Sequence, residues 1–313
     1  MIITIRIAAL ITIAIVPVLT QAQAWPTRPV RIIAPFAAGG TADLLGRITA
    51  GKLSESLGQS FIVENRPGAG GVLGSELVAR STPDGYTLLV SGVASHAIAP
   101  ALSPKLPFDP VKDFAHIALF GGPPSVLAVH PSLPVKDVKS FIAFAKSKPR
   151  ELTYGSPGNG TQGHLIAELF KRGAGFDMQH IPYKGASGAV VDVMAGHTHA
   201  ISTTLTTAGA QIRAGRLRAL AISSEARLPE YANVPTYREA GYPELVATIW
   251  FSLSGPAALP ADIVNRLNSE VRRVLQLPDV RARLRPRHRA RLDGRQSIYG
   301  FCRGGSKALG TGG

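Results

Sequence analysis

Short apolar runs alternate along this chain with glycine-rich loops and with segments whose apolar residues recur at helical spacing. The first unit has an apolar strand at residues 30–35, a loop at residues 36–40 and a helix at Thr41–Leu57, in which five leucine and isoleucine residues recur at roughly helical spacing. The arrangement repeats with a strand at 61–64, a loop at 65–71, a helix ending at 81 and a strand at 86–90. This alternation predicts an α/β fold with mainly parallel sheets flanked by helices.

The second half of the chain repeats this design. Strands are predicted at residues 152–155, 178–183, 200–205 and 218–223, and helices at 162–172, at 187–195 and near residue 211. A late strand at 248–253 precedes a helix that begins near Pro260. The pattern predicts two α/β lobes with a ligand-binding cleft between them. Residues 25–123 with 248–284 are expected to form lobe 1, and residues 124–247 lobe 2.

The first 24 residues have the composition of a secretory signal. One early positive charge, Arg6, precedes an apolar run at residues 7–19, and Ala22 and Ala24 then form an A-x-A cleavage site. A membrane anchor is the alternative, but it needs about 20 continuous apolar residues, and Pro17 interrupts the run. We therefore expect cleavage after Ala24 and export of the mature protein to the periplasm.

The formal net charge of +14 would, taken alone, indicate nucleic acid or an anionic membrane as a partner. Residues 281–313, however, carry eight arginines and Lys307 against the single acid Asp293, which leaves +6 for the other 280 residues. The glycine- and arginine-rich tail at 285–313 has a composition that predicts disorder, with a phosphate-clamping tail as the alternative. We expect no nucleic-acid partner. The only cysteine, Cys302, lies in this tail, so the body can form no disulfide.

The glycine loops are candidates for anion binding. Each places free backbone N–H groups at the start of a helix, and glycine lets the chain approach a ligand closely. Hydrogen bonds to a charged group contribute about 1.5–3 kcal/mol each, so several loops converging on one carboxylate suffice for binding. A nucleotide is the alternative, since Gly68, Gly70, Gly71 and Gly74 loosely resemble a dinucleotide fingerprint. That loop follows the second strand, however, and no GxxxxGK[ST] occurs.

Patterns for catalysis and metal binding are weak. The chain has no G-x-S-x-G elbow and no H-E-x-x-H motif. His197 and His199 would point to the same side of a strand, yet we identify no nearby acid or cysteine to complete a metal site. We expect no catalytic residues, no metal and no cofactor.

Six ordered motifs carry a resemblance to a known family. They are WPxRPVRII from Trp25, PFAAGGTAD at 35–43, ENRPGAGG at 64–71, YGSPGNGT at 154–161 with His164, HIPYKG at 180–185, and VPT to EAGY at 234–242. Through these motifs, and as far as about Leu284, the chain closely resembles the substrate-binding proteins of tripartite tricarboxylate transporters, the Bug receptors.

The resemblance implies a type II periplasmic-binding-protein fold whose two lobes close on a ligand in the cleft. It implies a receptor, which we expect to be a monomer, that captures a small carboxylate largely through backbone amides and ordered waters. The receptor would deliver its ligand to membrane permease subunits. The alternative is an enzyme on the same two-lobed scaffold that acts on a small carboxylate. Such an enzyme needs a positioned base or nucleophile, and the sequence offers no compelling one.

Carried over motif by motif, the resemblance implies ligand contacts in both lobes. The contacts in lobe 1 are Phe36, Ala38, Gly39, Gly40, Asp43, Ser91 and Ser95, with His96 beside them. The contacts in lobe 2 are Ser156, Gly160, Thr161, His164, Lys184, Gly185, Thr203 and Thr204. Because Asp43 cannot attract a carboxylate, we expect it to cap the helix or to pair with the amine of an amino-acid-like ligand. The family's usual proline after Tyr-Lys-Gly-x-x is replaced near Ser187 and Gly188, which leaves the geometry of that loop open.

The family normally ends with a further amphipathic helix that packs on the first lobe. This chain has the arginine- and glycine-rich tail instead, and its helical period ends near Leu284. We hypothesise a frameshift there, because GC-rich DNA read out of frame yields Arg, Gly, Pro and Ala. Translating the source gene in its other two frames tests this hypothesis, which fails if neither frame yields an amphipathic helix.

Overall fold

The computed structural model describes residues 25–247 and 249–284. The predicted signal at residues 1–24 and the predicted tail at 285–313, with Cys302 and the hypothesised frameshift, lie outside the described residues. Within the described part of the chain, no helix combines the length and the apolar character needed to cross a membrane. The described chain folds into two five-stranded sheets, each flanked by helices.

The first sheet forms the centre of lobe 1 and joins both ends of the described chain. In spatial order its strands are β2 (Phe61–Asn65), β1 (Val30–Ala34), β3 (Thr87–Gly92), β10 (Phe251–Pro256) and β4 (Phe114–Gly121). Strand β1 is parallel to β2 and β3, whereas β10 is antiparallel to β3 and β4. One face packs on helices α1 (Thr41–Leu57) and α8 (Ala261–Gln276), and the other on α2 (Val72–Ala79).

The second sheet forms the centre of lobe 2. In spatial order its strands are β7 (Gln179–Pro182), β6 (Thr153–Ser156), β8 (Ala200–Thr204), β5 (Ser125–Val129) and β9 (Arg218–Ile222). Strand β6 is parallel to β7 and β8, whereas β5 is antiparallel to β8 and β9. Its flanking helices are α4 (Val138–Ser147) and α5 (Gln162–Ala174) on one face, and α6 (Ala186–Met194) and α7 (Leu205–Arg213) on the other.

Short helical segments complete the described chain. They are a π-helical turn at Ala94–Ile98, helices α3 (Ala99–Leu102) and α9 (Pro278–Arg283), and 3₁₀ turns at Ala69–Gly71, Pro229–Tyr231 and Pro243–Leu245.

Helix α8 shows how the sequence pattern becomes packing. Ile263, Leu267, Val271 and Val274 recur every three or four residues, and all four are buried against the first sheet. Burying such a side chain stabilises the fold by about 1.5–3 kcal/mol. The opposite face of α8 carries charged residues, so the helix has a single orientation that buries its apolar stripe.

Both sheets are built on one plan. In each sheet, the strand beside one edge strand is the first strand after the chain crosses from the other lobe. The chain crosses to lobe 2 between β4 and β5, and it returns to lobe 1 between β9 and β10. The two crossings pack backbone against backbone, because a Cβ on Gly122 would lie 1.7 Å from the Ile249 carbonyl oxygen. The lobes are therefore joined by two adjacent connections beside the cleft.

The α/β class, the two lobes and the flanking helices, which the sequence pattern predicts, are confirmed. Each sheet is mixed, however, rather than mainly parallel. The antiparallel strands follow from the crossings between lobes, which the local alternation of strand and helix does not encode. Strands β4 and β5 and helix α4 are absent from the prediction. Both strands are buried almost throughout and lack the alternation of a strand with one solvated face.

Candidate functional site

A cavity lies between the two lobes, next to the loops that follow β1, β3, β6 and β8. It offers about 60 Å³ of space to the centres of water molecules. Its lining residues come from both lobes, from the first turns of α1, α5 and α6, and from the segment that leads into β10. This is the position at which open α/β folds bind ligands, beyond the carboxyl ends of parallel strands.

Three helices begin at this cavity without a side-chain cap. The N-cap residues of α1, α5 and α6 are Gly40, Thr161 and Gly185, and none of them makes a side-chain hydrogen bond to its helix. The first backbone N–H groups of a helix have no acceptor within the helix. They also lie at the positive end of the helix dipole, which favours an anion there by about 0.3–1 kcal/mol. The three helices therefore present amide donors to the space between the lobes.

Two buried polar side chains that line the cavity have no partner. Thr203 on β8 is 1% exposed and its Oγ1 makes no hydrogen bond, and Gln162 at the start of α5 is 7% exposed with an unpaired Oε1. Gly163 lets α5 begin against the end of β8, because a Cβ there would lie 2.3 Å from the Ser202 carbonyl oxygen. An unsatisfied buried polar group costs about 1–3 kcal/mol. These two side chains therefore mark where a ligand or an ordered water completes the hydrogen bonding.

The other polar side chains at the cavity are already bonded within the protein. Ser95 Oγ lies 2.8 Å from His96 Nδ1. Thr161 Oγ1 donates to a carbonyl oxygen of its own loop over 2.7 Å. Thr41 Oγ1 lies 2.8 Å from Thr204 Oγ1, a hydroxyl pair that joins the two lobes. These hydroxyls hold the walls in place, whereas Thr203 Oγ1 and Gln162 Oε1 are the buried side-chain oxygens of the described lining without a partner.

The rest of the wall is apolar and comes mainly from lobe 1. Phe36 follows β1, Val93 and Ala94 follow β3, and Ile249 and Phe251 lie where the chain returns to lobe 1. Among the described residues, no charged side chain lines this cavity. An anion in it is therefore held by hydrogen bonds and helix dipoles rather than by an ion pair.

The lobes contact each other directly at the rim of the cavity. The Ala37 N–H donates to the Lys184 carbonyl oxygen over 2.9 Å, and the Ser187 hydroxyl donates to the Ala38 carbonyl oxygen over 2.6 Å. Gly185 permits this approach, because a Cβ there would lie 2.9 Å from the Ala37 nitrogen. The structure is therefore a closed conformation in which loops of the two lobes are hydrogen-bonded to each other.

The predicted ligand contacts fall into several places. Six of them line the cavity: Phe36, Gly40, Ser95, Thr161, Thr203 and Thr204. Lys184 lines a neighbouring cavity with about 220 Å³ of space for water centres, which shares Phe36 with the first. Ala38, Gly39 and Gly185 lie at the direct contact between the lobes.

Asp43 serves the loop rather than the cavity. Its carboxylate accepts hydrogen bonds from the Gly39 N–H, the Asn65 amide and the Arg47 guanidinium, each within 3.0 Å. Burial opposes the charged form, but these hydrogen bonds, with that from Arg47 the strongest, hold the pKa of Asp43 below its ordinary value. The carboxylate reaches back from the first turn of α1 to the preceding loop, which is a capping role.

Ser91 and His96 lie behind the cavity wall, inside lobe 1. Ser91 Oγ is 2.6 Å from Ser252 Oγ and 2.7 Å from Ser254 Oγ, and Ser91 does not line the cavity. His96 is fully buried, and burial holds its pKa well below the ordinary value. Among the described residues no carboxylate is hydrogen-bonded to His96. The Ser95–His96 pair therefore lacks the third group that orients a catalytic base.

Ser156, Gly160 and His164 support a stacked pair of histidines in lobe 2 and do not line the cavity. Ser156 Oγ lies 2.7 Å from His180 Nε2, and the Gly160 N–H donates to His164 Nδ1 over 3.3 Å. The rings of His164 and His180 stack with their centroids 4.3 Å apart. Burial, and next the neighbouring His164, lower the pKa of His180 to about 4. His180 is therefore neutral near pH 7 and rigidifies the loop that precedes α5.

Eleven of the 17 lining residues are absent from the predicted contacts, among them Thr41, Gln162, Ile249 and Phe251. Gln162 directly follows the predicted contact Thr161, so the glycine loop before a helix is a usable signal for it. Ile249 and Phe251 offer no such signal, because apolar residues in or beside a strand have the sequence pattern of core residues.

The described residues contain no group of three or more His, Cys, Asp or Glu side chains that could hold a metal ion. The expectation that no acid lies near His197 is wrong, since its Nδ1 is 3.6 Å from an Asp192 carboxylate oxygen. His199 Nδ1 instead accepts a hydrogen bond from the Thr153 N–H over 3.1 Å. The two histidines therefore have separate partners.

Comparisons with known proteins identify the family. Residues 45–290 match the model of a tripartite tricarboxylate transporter family receptor. BugT of Bordetella pertussis is 38% identical over 257 residues, which cover 82% of this chain and 79% of BugT. A Rhodopseudomonas palustris protein solved with adipate is 34% identical, with a TM-score of 0.83 over 91% of this chain and 98% of that one. MatC of the same organism, solved with bound malate, is 32% identical, with a TM-score of 0.83 over 91% of this chain and 100% of that one. The chain belongs to the family of tripartite tricarboxylate transporter receptors, which includes the Bug proteins, as its six motifs predict.

Proposed function

We propose that this protein is a periplasmic receptor that captures a small carboxylate between its lobes and delivers it to the membrane permease of a tripartite tricarboxylate transporter. Two relatives of the same fold were solved with carboxylates, one with adipate and one with malate. The proposal gives this chain the same class of ligand.

The observation that carries the proposal is the meeting of unpaired donors and acceptors in one cavity between the lobes. Thr203 and Gln162 present buried, unpartnered oxygens there, and α1, α5 and α6 present backbone amides without side-chain caps. A carboxylate accepts from the amides and from the Thr203 hydroxyl, and each such hydrogen bond to a charged group contributes about 1.5–3 kcal/mol. The Gln162 Oε1 is an acceptor, so an ordered water or a hydroxyl of the ligand donates to it.

The remaining parts of the proposal concern where the receptor works and how it is divided. We divide the receptor into lobe 1, residues 25–123 with 248–284, and lobe 2, residues 124–247. The strand order supports this division, because β5 begins at Ser125 in the second sheet and β10 begins at Phe251 in the first. Cleavage after Ala24, a periplasmic location and a monomeric receptor complete the proposal. A role in binding without catalysis is supported by the Ser95–His96 pair, which has no orienting acid.

A thermal-shift screen of the exported full chain tests the function. Each carboxylate is paired with its neutral amide, for example butanoate with butanamide, which keeps the shape but removes the charge and replaces one acceptor oxygen with an NH2 donor. A carboxylate at 100 times its dissociation constant adds about 2.7 kcal/mol to the free energy of unfolding, and its amide adds little. The proposal is overturned if no carboxylate raises the melting temperature, or if amides raise it equally.

A further inference from the structure

The cavity has a polar corner on one side and an apolar wall on the other. This arrangement narrows the class of ligand beyond the small carboxylates that the family binds. We infer that this receptor takes a compact carboxylate with a single anionic group and an apolar body, and that Phe36 and Pro157 limit its length. The inference rests on the proposed function and names the substrate class for the same site.

The hydrogen-bond donors converge on one end of the cavity. Thr41, at the start of α1, is hydrogen-bonded to Thr204, the neighbour of Thr203, and the start of α5 packs on Ser202. The first amides of both helices therefore lie on the same side as the unpartnered Thr203 hydroxyl, and the other hydroxyls of the lining are bonded within the protein. Opposite them stand Ile249, Phe251 and Val93, with no charged side chain among the described residues of the lining. A second carboxylate or an ammonium group placed against that wall would be buried without a partner, which is strongly unfavourable.

The volume points to a ligand of the same kind. About 60 Å³ is accessible to water centres in this cavity, compared with about 220 Å³ in the neighbouring cavity. Butanoate and its branched isomer are small enough to bind in the first cavity alone. A longer carboxylate such as adipate extends into the neighbouring cavity only past Phe36 and Pro157.

Phe36 and Pro157 form the wall that sets the limit. Both residues line the ligand cavity and also the neighbouring cavity, which has about 220 Å³ of space for water centres. The Phe36 ring rests on Gly71, where a Cβ would lie 3.3 Å from the ring. Beyond this partition lie Lys184 and the backbone of the loop at Gly70. A ligand that extended past Phe36 would therefore find a cation and backbone amides for a second carboxylate.

The Phe36→Ala variant removes the aromatic ring but keeps the backbone hydrogen bonds of the loop in which Phe36 lies. The Phe36 carbonyl oxygen accepts a hydrogen bond from the Asn65 amide over 2.9 Å, and the next N–H, that of Ala37, is bonded to Lys184. Both bonds use the backbone, so the substitution leaves them in place. Removing the ring joins the two cavities.

Isothermal titration of the full chain with butanoate, succinate and adipate tests the inference. Butanoate and succinate share a four-carbon chain and differ in the second carboxylate. We expect the unmodified protein to bind butanoate at least about tenfold more tightly than succinate. We expect Phe36→Ala to raise the affinity for adipate relative to butanoate by about tenfold or more. Phe144→Ala, at a half-buried phenylalanine on α4, should leave that ratio unchanged.

Each outcome decides a separate statement. Equal or tighter binding of succinate by the unmodified protein overturns the single-anion ligand and leaves the receptor function standing. An unchanged adipate-to-butanoate ratio in a folded Phe36→Ala variant overturns the role of Phe36. If that variant fails to fold, Phe36→Leu, which shortens the partition without emptying it, is required to move the ratio in the same direction. Binding of no carboxylate at all overturns the proposed function itself.

Discussion

The two lobes share one strand order but contribute different chemistry to the cavity between them. Lobe 1 contributes the apolar wall, with Phe36, Ile249 and Phe251, while its polar residues Thr41 and Ser95 are already hydrogen-bonded. Lobe 2 contributes the unpartnered oxygens of Thr203 and Gln162. The first amides of α1 also face the cavity from lobe 1. One strand order can therefore present backbone donors from both lobes, while the unpartnered hydroxyl comes from lobe 2 and the apolar wall mainly from lobe 1.

The lobes also differ in how they bury histidine. In lobe 1, His116 is buried, with Nδ1 2.9 Å from Ser254 Oγ and Nε2 donating to the Pro110 carbonyl oxygen over 3.0 Å. In lobe 2, His164 and His180 are half-buried and stack on each other. Burial lowers the pKa of both His116 and His180 to about 4, but His180 is half-buried. Because solvent screens a half-buried group, the buried histidine of lobe 1 couples the stability of the fold to pH more strongly.

Gly185→Ala should break the contact between the lobes and have the largest effect. The new Cβ would lie 2.9 Å from the Ala37 nitrogen and displace the hydrogen bond to Lys184. Overpacking costs about 1–3 kcal/mol and each lost hydrogen bond about 0.5–1.5 kcal/mol, so carboxylate affinity should fall by about 100-fold. Isothermal titration measures this loss. Gly51→Ala on α1, where a Cβ meets nothing within 4 Å, is the control. Unchanged affinity in Gly185→Ala would show that closure does not depend on this approach.

Acid should destabilise the protein through the buried histidine of lobe 1. Burial lowers the pKa of His116 from 6.5 to about 4, despite its hydrogen bond to Pro110. The folded state therefore keeps His116 neutral while the unfolded chain takes up a proton below pH 6.5. Stability from this group is fully present above pH 6.5 and declines as the pH falls toward 4, by up to about 3 kcal/mol.

Urea unfolding between pH 7 and pH 4 measures this dependence. His116→Gln keeps a donor for the Pro110 carbonyl oxygen and should flatten the curve, whereas His180→Gln in lobe 2 should change its slope less. A His116→Gln curve parallel to that of the unmodified protein would contradict the assignment.

Thr203→Val should weaken carboxylate binding by about 10- to 100-fold, because it removes one hydrogen bond to a charged group while keeping the side-chain shape. The neutral amide of the same ligand should lose much less affinity. Thr206→Val is the matched control, since Thr206 Oγ1 is also buried without a partner but does not line the cavity. Equal losses of carboxylate affinity for Thr203→Val and Thr206→Val would show that the Thr203 hydroxyl does not bind the charged group of the ligand.

Asp137→Ala should have the smallest effect and change stability alone. Asp137 caps α4 in lobe 2, where its Oδ1 accepts from the Ser140 N–H over 2.7 Å, and Ser140 Oγ accepts from the Asp137 N–H over 3.1 Å. Losing such a cap costs about 1 kcal/mol of unfolding free energy. The dissociation constant of the carboxylate should stay the same, because α4 does not begin at the cavity. A change in affinity would mean that the helix termini are coupled across lobe 2.

The fold was predictable where local pattern decides it. Helix α1 follows a glycine loop and carries regular apolar spacing, and its bounds are as predicted. The antiparallel direction of β5 and β10 was not predictable in this way, because it depends on where the chain crosses between lobes. The glycine loops likewise predicted free backbone N–H groups at helix starts, and α1, α5 and α6 begin at the cavity without side-chain caps. The apolar wall at Ile249 and Phe251 was not predictable from the sequence, because these residues have the same pattern as core residues. Only the folded structure places them at the cavity.

The most direct test is a crystal structure with the tightest-binding carboxylate of the titration panel, because it shows which residues contact the charged group and which contact the hydrocarbon body. The account predicts that the carboxylate lies within hydrogen-bond distance of the Thr203 hydroxyl and the first amides of α5, with the hydrocarbon body against Phe251 and Ile249. A carboxylate bound by lobe 1, with the apolar body packed against Thr203 and Gln162, would contradict it.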